Sequence, residues 1–127
     1  MQYKCDRVIE TREYTGKVDE WIKGKQPILV VPKNEDEVRP VLDCSKTGLN
    51  GALSPWGMSL PKFLEFACLV RPNMILGKRD FRHGFHHQIV DEASRPWLGF
   101  DFPGMEGIKE GRFRSLPFGL SQSPAKF

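Results

Sequence analysis

The hydrophobic period of this chain changes along its length, and that change restricts its possible folds more than any other feature. Phe63, Phe66, Ala67 and Val70 fall at i, i+3, i+4 and i+7, one face of a helix, with Lys62 and Glu65 on the other side. Leu98, Phe100 and Phe102 instead alternate with Trp97, Gly99 and Asp101, the period-two mark of a strand with two unlike faces. A chain of 127 residues supports one modest core. Helix and strand must share it, so the expected class is α+β: an antiparallel sheet with amphipathic helices packed on one face.

Turn residues divide the rest. Gly (12) and Pro (10) are spread over turns and motif positions rather than gathered in one linker. The β-branched run Ile28-Leu29-Val30-Val31, the polar tip Asn34 to Glu37 and the run Val38 to Asp43 predict a hairpin, with Pro40 on an edge or bulge. Ser59 and Pro61 suit the start of the helix over Phe63–Val70. Met74-Ile75-Leu76 predicts a strand running to Asp80, followed by a short helix or turn. A loop is expected from Pro103 to Gly111, then a short strand at Phe113–Leu116 closing a second hairpin, then a helix capped by Ser121 or Ser123. Near the N-terminus, Tyr14 to Lys17 reads as a turn, and Val18, Trp21 and Ile22 as one face of a short helix.

Hydrophobic residues at 39% and charged residues at 28% exclude an intrinsically disordered composition. No apolar run reaches bilayer length, and the first residues lack the layout of a signal peptide, so an intracellular setting is expected. The net charge of +3 is compatible with a phosphate-rich partner without requiring one. Cys5, Cys44 and Cys68 are widely spaced and read as free thiols, Cys68 in a core. His83, His86 and His87 have helical spacing, but no fourth ligand lies near, so zinc is not assigned.

Three segments, in order, resemble retroelement reverse transcriptases, RNA-directed DNA polymerases. Val31-Pro32-Lys33, then Arg39 to Asp43 and on to Leu49-Asn50, is similar to the fingers hairpin of that family. Lys78-Arg79-Asp80-Phe81-Arg82-His83-Gly84-Phe85-His86-His87-Gln88-Ile89 resembles the palm segment written D-x-x-x-G-[YF]-x-Q-I. Leu116-Pro117-Phe118-Gly119-Leu120-Ser121-Gln122-Ser123-Pro124-Ala125-Lys126-Phe127 looks like P-F-G-L-x-x-[AS]-P-x-x-F, a form typical of long-terminal-repeat and tyrosine-recombinase (DIRS-like) elements. The resemblance implies a partial fingers and palm of a right-hand polymerase over residues 28–127, with 1–27 as an extension leading into the fingers.

It also implies roles. Asp80 would bridge catalytic Mg²⁺ ions, two in a complete enzyme, with the backbone carbonyl of Phe81 as a further ligand. Lys33 and Arg39 would hold the triphosphate of a deoxynucleoside triphosphate, the arginine through its planar fork. Phe85 would exclude a 2′-hydroxyl, and Phe118 and Gly119 would shape the nucleotide pocket beside an RNA or DNA template with its primer. Each residue has an ordinary alternative: a surface aspartate, a solvated hairpin, a core phenylalanine, a turn glycine. Glu35, Asp36 and Glu37 depart from the family pattern, because acids at this tip repel phosphate unless they point away or pair with Lys33 or Arg39. The family's second carboxylate motif, [YF]-x-D-D, does not occur in the 127 residues. The chain by itself is therefore expected to lack polymerase activity. The competing expectations are a non-catalytic retroelement remnant and a small nucleic-acid-binding module.

Overall fold

A computed structural model describes residues 8–54 and 57–126. It has mixed helix and strand with antiparallel sheets, an α+β arrangement. Strand β1 (Ile9–Glu13) pairs with β5 (Gly107–Phe113), which pairs with β4 (Gly99–Gly104), giving a three-stranded sheet in the order β1-β5-β4. Strands β2 (Ile28–Pro32) and β3 (Val38–Leu42) form the expected hairpin as a separate two-stranded sheet, where Pro40 lies on an edge strand opposite Val30.

Register explains why β1 joins the sheet despite having almost no apolar alternation. Glu10 faces Arg112 and Arg12 faces Glu110 across the β1–β5 pair, so opposite charges meet directly. On the other side of β5, Asp101 faces Glu110, a repulsive pair, and Lys25 resolves it with its ammonium 2.9 Å from Asp101 and 2.7 Å from Glu110. Trp21 lies under the guanidinium groups of both Arg12 and Arg112, at 4.5 and 4.6 Å. Residues 14–26 thus cover a charged sheet face. They form no helix: Ile22 is buried while Val18 is exposed, because the segment is tied down by Asp19, whose carboxylate accepts the N–H groups of Trp21 and Ile22.

The opposite face is apolar. Phe100 and Phe113 meet at 5.3 Å and join Leu42, Cys44, Val90, Leu98 and Leu116 in the core. Gly111 makes room for this packing, since a Cβ there would lie 2.8 Å from Phe100 Cζ. Cys44, not Cys68, is the core thiol; burial and then the neighbouring Asp43 push it up to about 11, so it stays protonated at neutral pH.

Several expectations are corrected. The β4–β5 turn is only Met105-Glu106, and β5 begins at Gly107, because Gly104, Gly107 and Gly111 sit in paired strand positions rather than in a loop. Helix α1 (Leu49–Ala52) was not anticipated, while α2 is a five-residue turn of helix, Phe63–Ala67, and buries nothing. Its N-cap is Lys62 rather than Ser59, with the Glu65 carboxylate accepting the Lys62 N–H. No strand forms at Met74–Leu76, and Ile75 is 98% exposed, because no neighbouring strand offers its backbone a ladder. Short 3₁₀ turns at Gly84–His87 and Arg95–Trp97 and a last helix, α3 (Ser123–Lys126), complete the chain. Among the described residues no helix is long and apolar enough to cross a membrane. Cys5 and Phe127 lie outside the described residues.

Candidate functional site

The β2–β3 hairpin projects from the core, and its tip faces the coil that carries Asp80. Between them lies an open cleft of about 1030 Å³. Lys33, Asp36, Glu37, Val38 and Arg39 form one wall, Asp80 to Gly84 and His86 the other, with Phe118 between them. Three segments far apart in sequence thus bring Lys33, Arg39, Asp80, Phe81 and Phe118 to one place. A second cavity of about 590 Å³, lined mostly by apolar side chains such as Leu49, Trp97 and Leu120, holds none of these residues.

Phe118 is fixed from several sides. Its ring packs on Phe85 at 5.0 Å and meets His86 edge-on at 5.5 Å, while the Arg39 guanidinium lies 4.9 Å above it. Its carbonyl accepts the Leu42 N–H at 2.8 Å, which docks this turn onto the end of β3. Gly119 is required there: φ is +99°, and a Cβ would fall 1.9 Å from the Leu42 carbonyl oxygen. Phe85 is half-buried behind Phe118 and Gly119 is exposed beside it, so neither lines the cleft directly.

Asn50, the last residue of the first motif, has structural work. Its amide donates to the Gly119 carbonyl at 2.9 Å and its Oδ1 accepts the Ser121 N–H at 2.8 Å. One side chain therefore ties the end of the first motif to the third. Asp43 has a similar local duty, accepting the Lys46 N–H at 3.1 Å in the turn before α1.

Asp80 is exposed on the cleft wall and makes no ion pair among the described residues. It sits in coil rather than at a strand end. Lys33, by contrast, is engaged: its ammonium lies 2.6 Å from the Glu37 carboxylate, and this pairing, followed by the charges of Arg82 and His83, holds Glu37 below the usual carboxylate range. One acid of the tip, Glu37, thus pairs with a cation of the hairpin, while Asp36 lines the cleft with no ion pair among the described residues.

The three histidines separate. His87 Nε2 is 2.9 Å from the Arg82 carbonyl, while His86 stacks on Phe113 and approaches the buried Ser115 hydroxyl. Burial, then the nearby His83, pushes His86 below the usual imidazole range, so it is neutral at pH 7. Among the described residues no three His, Cys, Asp or Glu side chains converge on a metal position. Asp80 and the Phe81 carbonyl offer hard oxygen donors of the kind that Mg²⁺ takes. They do not fit two ions, which need further bridging carboxylates.

Sequence reading missed Arg82, His83 and His86 as cleft residues. Their positions inside the second motif were a usable signal. No protein-family model and no curated protein matches this chain.

Proposed function

We propose that this chain is part of the fingers and palm of a reverse transcriptase and that its cleft receives the triphosphate of a deoxynucleoside triphosphate. The observation that carries this reading is the convergence of Lys33, Arg39, Asp80 and Phe118, drawn from all three motif segments, on one cleft.

Each wall has a distinct task. Arg39 offers a planar set of donors to phosphate oxygens, and its seat on Phe118 limits the orientations it must lose on binding. Phe118 gives the sugar or base an aromatic surface, and Phe85 packs behind it and holds that ring in place. Asp80 would hold one Mg²⁺ together with the Phe81 carbonyl. Bound there, the ion neutralises phosphate charge. Chemistry at a primer 3′-hydroxyl needs carboxylates for a second ion, so these residues are expected to bind nucleotide without extending a primer.

A simple phosphate-gripping module is the rival reading, favoured by the exposed cations of the cleft. Calorimetry of the chain with a deoxynucleoside triphosphate, with and without Mg²⁺, separates the two. Arg39→Ala is expected to weaken binding about tenfold, the scale of a charge-assisted hydrogen bond. Asp80→Asn should remove the gain due to Mg²⁺ without weakening metal-free binding, since it takes a carboxylate out of the cleft wall. Indifference of Mg²⁺-dependent binding to Asp80→Asn would leave only the phosphate-gripping reading.

A further inference from the structure

Phosphate binding asks Lys33 for a free ammonium, yet Glu37 already holds it. The pairing is built into the hairpin. The Lys33 and Asn34 N–H groups both donate to the Glu37 carbonyl, at 2.9 and 3.3 Å, so the turn fixes the two residues opposite one another. Their side chains meet at 2.6 Å while staying 46% and 41% exposed, and both line the cleft. Arg82 and His83 line the facing wall, and the Arg82 charge also acts on Glu37.

We propose that Glu37 is an internal competitor for the anionic ligand: it occupies Lys33 when the cleft is empty and gives it up when phosphates arrive. This rests on the nucleotide reading above and goes beyond it, because it assigns the acidic tip a role in setting affinity. A solvent-exposed ion pair is weak and screened by salt, so a polyphosphate carrying several charges displaces it readily. The displaced carboxylate then keeps Arg82, on the facing wall, as a cation within electrostatic reach. Affinity is held down because the arriving anion must first break the Lys33–Glu37 pair.

The test is calorimetry of the full chain with inorganic tripolyphosphate, free of metal, at physiological ionic strength where distant repulsion is screened. Glu37→Gln is expected to tighten binding about 3- to 5-fold, the range open to an exposed pair. In the Lys33→Ala background the same substitution should change affinity by less than about 1.5-fold, because nothing remains to compete for. Circular dichroism of each variant checks that the fold is retained. Arg39→Ala monitors the cleft independently. If tripolyphosphate binds and Arg39→Ala weakens it, but Glu37→Gln has no effect or acts equally without Lys33, the competitor is refuted and the cleft stands. If tripolyphosphate does not bind, or binds regardless of Arg39, the cleft reading fails and takes the competitor with it.

Discussion

Phenylalanine is used in opposite ways by the three-stranded sheet and by residues 57–82. In the sheet, Phe100 and Phe113 are fully covered and touch each other. In the other segment Phe63 is 83% exposed, and Leu64, Phe66, Leu69 and Val70 are exposed around it. The helical spacing of Phe63, Phe66 and Val70 is sound as a pattern, but a pattern supplies a face and not the surface that must cover it. The sheet has that surface because β1, β4 and β5 hold one another in register. The five-residue α2 is too short to persist on propensity and has no packing to compensate. Burial follows from partners, and partners follow from pairing.

The largest expected effect tests the covered side. Phe113→Ala removes a ring at the centre of the core and should cost about 3–5 kcal/mol of unfolding free energy in urea titrations. A cost under about 1 kcal/mol would mean that the two regions differ less than the geometry requires.

A somewhat smaller effect is expected from the charged face. Glu110 is completely covered and serves Arg12 and Lys25 at 2.7 Å each. Glu110→Gln leaves two cations facing a neutral amide. The cost should be about 2–3 kcal/mol, below that of a fully buried pair because both cations keep contact with water. The same network predicts acid sensitivity. Burial raises the Glu110 carboxyl, but hydrogen bonds and charge from Lys25 and Arg12 outweigh it and leave the folded value lowered. Asp19 is held at about 2, first by its hydrogen bonds to Arg12 and then by the Ile22 N–H. With folded values below unfolded ones, both contributions are complete above the ordinary carboxyl range and are lost progressively below it, that of Asp19 down to about pH 2. Thermal melts should show the melting temperature dropping below about pH 4.5, more gently in Glu110→Gln than in the parent chain. Parallel acid profiles would remove Glu110 from the account.

The smallest effect belongs to the uncovered segment. Phe63→Ser and Phe66→Ser should each shift stability by less than about 0.5 kcal/mol, while lowering self-association measured by light scattering. A loss above about 2 kcal/mol would show that these rings are packed in solution, and the contrast with the sheet would disappear.

Legibility in the sequence followed the kind of signal each region carries. The β2–β3 hairpin was readable, because a β-branched run and a polar tip are local properties. Strand β1 was not, because Glu10, Arg12 and Glu13 make no apolar period and its pairing depends on charges about 100 residues away. The cleft was half readable. Lys33, Arg39, Asp80, Phe81 and Phe118 could be named from motifs, whereas the docking of Phe118 on Leu42, the Asn50 clamp and the Lys33–Glu37 pair required coordinates.

Residue order alone determined the class of the fold, the hairpin and the types of side chain available for phosphate and metal, since these depend on neighbours a few positions apart. Which apolar face found cover, which cation was already engaged and which rings stand behind the cleft were decided by tertiary structure. Coulomb and van der Waals contacts act over a few ångströms in space, and only the folded backbone converts separations of tens of residues into distances of that size.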